Sequence, residues 1–421
     1  MIVSHSRLKF FISLLLLRLS LDFAYINFVS PLFSYAGMLY EPSLLTSLES
    51  YLFLFTYCMI APARLKNPSD FFFIFTLVFY LLPVGLFFGI AGGSRLGFYT
   101  INFGGILICL ASILPNITLP SLRLKRSWLA EIVLLFLVLV TVFIALKVGP
   151  SNVNFDLSKE YEFRPIISDL LSGFGLPYII PWMVSVLGPF ALAVSLSKRK
   201  YSLFIGISLM HVLWFGLTSH KTPMFVPFLV LGIWFLCKKS KDLYRLPAYC
   251  AMVVLFLISL YAMFDFGLPA SLVVRRLFLV PAMYSYEYFT FFESNHIFWS
   301  NSILSELSEY QYSEPFPKVI GENAGTGDYA NVGFIPTGFM HANFIGVLLY
   351  ISMYIFVLKL IDGFSVRASE TWVIVVLFIM IINITVTSAD LPTVFLTHGL
   401  IVALLLGWLY KSSLESSTRV K

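Results

Sequence analysis

Long stretches of apolar residues, broken by short polar links, run along nearly the whole chain. They lie near 10–30, 44–62, 71–91, 98–117, 128–148, 176–196, 202–219, 223–237, 247–265, 332–358, 371–389 and 391–410. Most approach the roughly 20 residues a helix needs to cross a bilayer. The runs are continuous instead of alternating with a period of two, which argues for helices over the strands of a barrel. The pattern predicts an all-α, polytopic membrane protein of about 12 transmembrane helices. Residues 1–265 would hold helices one to nine, and 266–331 a large external loop with an interfacial amphipathic helix. Residues 332–421 would hold helices ten to twelve and a polar tail.

Composition sharpens this picture. Of the 421 residues, 59% are hydrophobic and 12% charged, with a mean hydropathy of +0.88. A soluble domain carries about 25% charge. A water-soluble enzyme, a coiled coil and a disordered chain are thereby excluded. The cysteines, Cys58, Cys109, Cys237 and Cys250, fall within or at one end of apolar runs, which predicts neither a disulfide framework nor a zinc site. The phosphate-loop, dinucleotide, zinc-protease and serine-hydrolase signatures are absent. No cofactor, no metal and no nucleic acid is therefore expected. Glu160 and Glu162 are the nearest approach to a paired-carboxylate site.

The excess of positive charge matters through its placement. With the N-terminus in the cytoplasm, Arg7, Lys9, Arg64, Lys66, Arg123, Lys125, Arg126, Lys198, Arg199, Lys200, Lys238, Lys239, Lys241, Arg245, Lys359, Arg367, Lys411, Arg419 and Lys421 fall on the inner side. Every inner link is then basic, and both termini are cytoplasmic.

The cations left on the outer side oppose that bias, so each asks for a reason. Arg275 and Arg276 precede an aromatic stretch in which Tyr284, Tyr288 and Phe291 share one helical face and Tyr286 flanks it. Arginine offers a planar fork to phosphate oxygens, and aromatic rings suit the bilayer edge. A simple interfacial anchor is the alternative. Arg95, Arg164 and Lys221 are the other outer candidates for a phosphate cradle. Glu287, Asp328 and His341 are candidate bases, with plain turn chemistry at Asp328 and ordinary packing at His341 as alternatives. Asn331 and Asn343 stand in a glycine-rich entry to a late apolar run, where polar groups are costly and often functional.

The segment 276–282 (RLFLVPA) with the aromatic run to Phe292 resembles the arginine-aromatic-proline segment of Wzy-type oligosaccharide repeat-unit polymerases. The later 330–335 (ANVGFI) and 342–348 (ANFIGVL), and the Ser219–His220–Lys221–Thr222–Pro223 link, are similar to other parts of that family. Thr337 and His341 depart from its usual pattern. The resemblance implies a GT-C-like, multi-pass protein of a bacterial inner membrane. It would join undecaprenyl-pyrophosphate-linked oligosaccharides at the periplasmic face, for lipopolysaccharide O-antigen, capsule or exopolysaccharide. It implies Arg276 and Arg275 at the pyrophosphate, with Arg164, Lys221 and Arg95 in support. Tyr284, Tyr286, Tyr288, Asn331 and Asn343 would meet sugars, and a chain-length regulator would be a partner. An O-antigen ligase and a lipid-linked oligosaccharide flippase are the competing expectations.

Overall fold

A computed structural model describes residues 5–122, 126–156, 159–302, 305–306, 308–365 and 369–419. Arg123, Lys125, Arg367 and Lys421 lie outside the described residues. Among those described, the chain is helical, with one isolated bridge between Arg64 and Asp242. Eight described helices are long and apolar enough to cross a membrane: His5–Ala36, Pro68–Ile90, Arg95–Ile113, Trp128–Val148, Leu176–Ser197, Tyr201–Thr218, Arg245–Phe264 and Phe334–Asp362. Shorter apolar helices, Leu44–Ile60, Thr222–Lys238 and Thr371–Thr387, lie among them.

The outward faces explain why these helices need lipid. On Arg126–Val148, Trp128, Ile132, Leu135, Leu139, Val142 and Leu146 form an exposed stripe at alternating spacings of four and three. An apolar stripe this long, left uncovered by protein, belongs against hydrocarbon.

Hydrogen bonds between links show which helix ends lie together. Leu65 N–H donates to the Lys241 carbonyl, Leu243 N–H to that of Ala63, and Arg7 reaches the Ala61 carbonyl. Ser197 and Tyr410 hydroxyls both donate to Glu370, and Lys411 donates to the Leu119 carbonyl. The links that carry the cations expected on the inner side therefore share ends. At opposite ends, Glu41 N–H meets the Ile90 carbonyl, Asn154 N–H meets that of Gly216, and Arg275 stacks on Phe33 at 4.4 Å.

Proline leaves a repeated mark on these helices. π-helical turns occur at Tyr25–Val29, Leu77–Leu81, Met183–Leu187 and Ser271–Leu279. Each is followed, two residues on, by proline: Pro31, Pro83, Pro189 and Pro281. A proline ring crowds the carbonyl four residues earlier and supplies no N–H, and a widened turn relieves both. The turn before Pro281 carries Arg275 and Arg276.

Two expectations are corrected. The first concerns the interfacial helix. Val280–Phe291 buries Ala282, Met283, Tyr284, Ser285, Tyr286, Tyr288 and Phe289 and so packs into the body instead of lying on a surface. A helix apolar almost all round has no wet face to present.

The second concerns the late span. Phe334–Asp362 is not one straight rod: Ala342 and Asn343 are non-helical, with Asn343 at φ +53°. The chain doubles back there. Phe334 stacks on Tyr354 with ring centroids 4.7 Å apart, although 20 residues of straight helix would separate them by about 30 Å. The half-helix 334–341 is thus a re-entrant arm lying along the half-helix 344–362. Glycines permit the contact. A Cβ on Gly346 would collide with the Gly338 carbonyl oxygen, and one on Gly333 with that of Val386. The run at 391–410 is likewise broken, into Leu391–Leu396 and Leu400–Arg419, with Gly399 at φ +84° against Trp182.

Gly346→Ala and Gly333→Ala should therefore lower the melting temperature of the detergent-solubilised protein by several degrees, because backbone cannot move aside cheaply. Gly206→Ala and Gly232→Ala, at helical glycines with nothing within 4 Å, should leave it equal or slightly higher. Equal melting temperatures for all four variants would contradict the hairpin packing.

Candidate functional site

The widened turn before Pro281 carries Arg275 and Arg276, and Arg275 lies over the Phe33 ring. Arg276 is exposed and Arg275 half-buried, its Nε donating to Ser271 Oγ at 3.3 Å. Arg275 lies within electrostatic reach of Arg276, Tyr35, Asp328 and Tyr284. Tyr284 in turn feels Asp328, Arg275 and Glu287, and its hydroxyl is 3.0 Å from Thr326 Oγ1. Burial pushes the Glu287 carboxyl above the usual carboxylate range. The helical stretch that bears Arg275, Arg276, Tyr284 and Glu287 thus meets the distant loop at Thr326, with Asp328 within electrostatic reach of Arg275 and Tyr284.

A tight glycine turn presents the acid of this cluster. Thr326 and Gly327 N–H groups both donate to the Gly321 carbonyl, with Gly325 and Gly327 at positive φ. A Cβ on Gly321 would collide with the Asp328 carbonyl oxygen, so the loop can close only on glycine. Asp328 and Asn331 are exposed on this loop.

The other cations expected on the outer side do not join the cluster. Lys221 Nζ is 2.8 Å from the buried Glu160, and Arg164 acts on the neighbouring His220. They form a second group between helix Glu160–Leu170 and the link before Thr222–Lys239. Arg95 pairs with Glu49 at 3.0 Å, and Tyr99 donates to the same carboxylate.

Several candidates are corrected by burial. Tyr286 donates to the Val84 carbonyl at 2.8 Å and Tyr288 to that of Ala330 at 2.8 Å, and both rings are buried. Neither is open to a sugar, nor is Tyr284, whose ring is also buried and whose hydroxyl lies on Thr326. Asn343 spends its Oδ1 on the Phe344 N–H at 2.8 Å, fixing the apex of the hairpin.

His341 is fully buried with both ring nitrogens engaged. Trp299 N–H donates to Nδ1 at 3.2 Å, which places the proton on Nε2 for donation to Asp390 Oδ2 at 2.9 Å. No nitrogen is left to take a substrate proton, so His341 is not the base. The Trp299 ring stacks on the imidazole at 4.9 Å, and Trp299 Nε1–H donates to the Tyr350 hydroxyl, which itself lies beside Asp390. Asp390 Oδ1 also accepts from Leu391 N–H and so caps the next helix.

Sequence reasoning missed Trp299, Tyr350 and the partnership of Asp390. The available signal was an isolated acid in an apolar run, which in a membrane demands a partner. The same signal marks Asp22, which pairs with buried Arg18 at 2.8 Å. No family model, curated protein or solved structure matches this chain.

Burial, and then the Arg164 charge, lower the His220 pKa below 6.5, with Glu160 pulling it back. The unfolded chain then binds the proton more readily, so this group's contribution to stability is complete above about pH 6.5 and falls as the pH drops below it. The melting temperature in detergent should fall between about pH 7 and about pH 5, and His220→Gln should make that fall shallower. An identical slope in the variant would contradict this placement of His220.

Proposed function

We propose that this chain is a membrane glycosyltransferase that polymerises undecaprenyl-pyrophosphate-linked oligosaccharide repeat units at the periplasmic face of a bacterial inner membrane. The observation that carries the reading is that the helical stretch bearing Arg275, Arg276, Tyr284 and Glu287 meets the loop bearing Thr326 and Asp328, with the Tyr284 hydroxyl 3.0 Å from Thr326 Oγ1. The segment supplying the arginines is the one that resembles the polymerase family. The basic links gathered at the opposite helix ends would face the cytoplasm, with both termini. A chain-length regulator is the expected partner protein.

In this reading an acceptor hydroxyl attacks the anomeric carbon of the donor glycan. The sugar–oxygen bond to the pyrophosphate breaks, and polyprenyl pyrophosphate leaves with the bonding pair. Arg275 and Arg276 meet the charge that develops on the leaving group. Glu287 or Asp328 takes the hydroxyl proton. The raised pKa of Glu287 moves it toward the range in which a carboxylate works as a base near neutral pH. Asn331, exposed on the same loop, is available to a sugar hydroxyl.

The test is surface polysaccharide run on a gel. A deletion strain should show cores carrying a single repeat and no ladder. Arg276→Ala should reproduce that pattern at normal membrane levels of protein. Arg276→Lys should restore little, since lysine lacks the planar fork. Full restoration by lysine would contradict the pyrophosphate role. Loss of every repeat from the core would point instead to a ligase, and single repeats held on the cytoplasmic leaflet to a flippase.

A further inference from the structure

The re-entrant arm 334–341 ends inside the protein, and its last carbonyls need donors from elsewhere. The large loop supplies them. Ile297 N–H donates to the Met340 carbonyl at 3.1 Å and Phe298 N–H to the His341 carbonyl at 3.1 Å, before Trp299 N–H takes the His341 ring. To aim these three amides, Phe298 and Trp299 both adopt the left-handed conformation, at φ +44° and +58°. Two bulky residues in succession hold that strained backbone only where surrounding contacts compel it.

The bonds at His341 lie in a closed circuit. Trp299 is the double donor, through its backbone N–H to His341 and its indole N–H to Tyr350. Asp390 lies where the two paths meet, bonded to His341 Nε2 and flanked by the Tyr350 hydroxyl. The circuit therefore joins the large loop, both arms of the hairpin and the start of helix Leu391–Leu396. It also reaches the candidate site. The arm begins at Phe334, with only Gly333 between it and the 328–332 segment, and the Tyr288 hydroxyl holds the Ala330 carbonyl, two residues from Asp328.

We propose that His341 is a positioning residue: by joining Trp299 to Asp390 it locks the re-entrant arm to the large loop, and so fixes the 328–332 segment opposite Arg275 and Arg276. This rests on the transferase reading for its consequence, though not for its structural content. His341 touches no reacting atom. Its part is to hold the segment that carries Asp328 and Asn331 where the arginines can share a substrate with it.

Each of two conservative variants breaks one bond of the circuit. His341→Gln keeps a donor near Asp390 and loses the acceptor for Trp299, and His341→Asn does the reverse. Each should lower long-chain polysaccharide by about tenfold or more at equal protein level, the scale of one unsatisfied buried group. A second readout follows the segment itself. Val332→Cys places a thiol at a site 2% exposed, and Val148→Cys places one at a site 1% exposed on a distant helix. In intact cells, a membrane-impermeant maleimide should label the thiol at position 332 faster once His341 is replaced by Gln or Asn, and the thiol at position 148 no faster.

Unchanged labelling at position 332 would overturn the proposal, and so would faster labelling at both sites, which means general loosening. Faster labelling at position 332 alone, in a strain whose polysaccharide never depended on this protein, would keep the lock and discard the transferase reading. A full ladder from both His341 variants, in a strain where Arg276→Ala abolishes it, would discard the positioning role.

Discussion

Inside a bilayer, a helix that breaks exposes amides and carbonyls that water cannot reach, so each must find a partner within the protein. The rest of this structure follows from that demand at one place, the break at Ala342 and Asn343. The arm before the break receives backbone donors from Ile297 and Phe298, and the arm after it is capped by the Asn343 side chain. Asp390, at the neighbouring break, caps its own helix and binds His341. The segment bearing Ile297 and Phe298 thus supplies the donors that the arm's last carbonyls lack.

Charge within the helical body obeys the same rule. Arg18 is almost fully buried, and it binds Asp22 and the Ser50 hydroxyl while stacking on Tyr51. Lys359 and Asp362 form a second buried pair, with the Ser69 N–H and hydroxyl completing the carboxylate's shell. Pairs of this kind offset their desolvation only when the geometry is good, and their value lies more in fixing which helices meet than in net stability. The more exposed cations and acids gather instead on the loop ends, where the candidate site lies.

Much of this was legible in the sequence. The apolar runs fall largely on helices, though those at 332–358 and 391–410 are broken, and the basic links group at shared ends, because hydrophobic length and charge asymmetry are properties of the chain read along its length. Arg275, Tyr284, Glu287 and Asp328 were each singled out before they were seen together. What stayed hidden depends on folding back. Gly338 and Gly346 stand in a glycine-rich entry, but nothing local says that each packs on the other's backbone. Tyr286 and Tyr288 looked like interfacial aromatics, because a buried helix and a surface helix in lipid carry the same apolar residues. His341 stood between a base and ordinary packing, because nothing local reveals that Trp299 and Asp390 occupy its two nitrogens.

The re-entrant hairpin is the claim on which this account depends most. It is tested directly by placing cysteines at Phe334 and Tyr354 together and treating membranes with a short thiol-to-thiol crosslinker. The stacked rings place these positions side by side, with centroids 4.7 Å apart, so the double variant should crosslink within one chain while neither single variant does. A straight helix would hold the two thiols about 30 Å apart, beyond the reagent's span. No crosslink in a double variant that inserts at normal levels would contradict the hairpin, and with it the placement of the loop against the arginines.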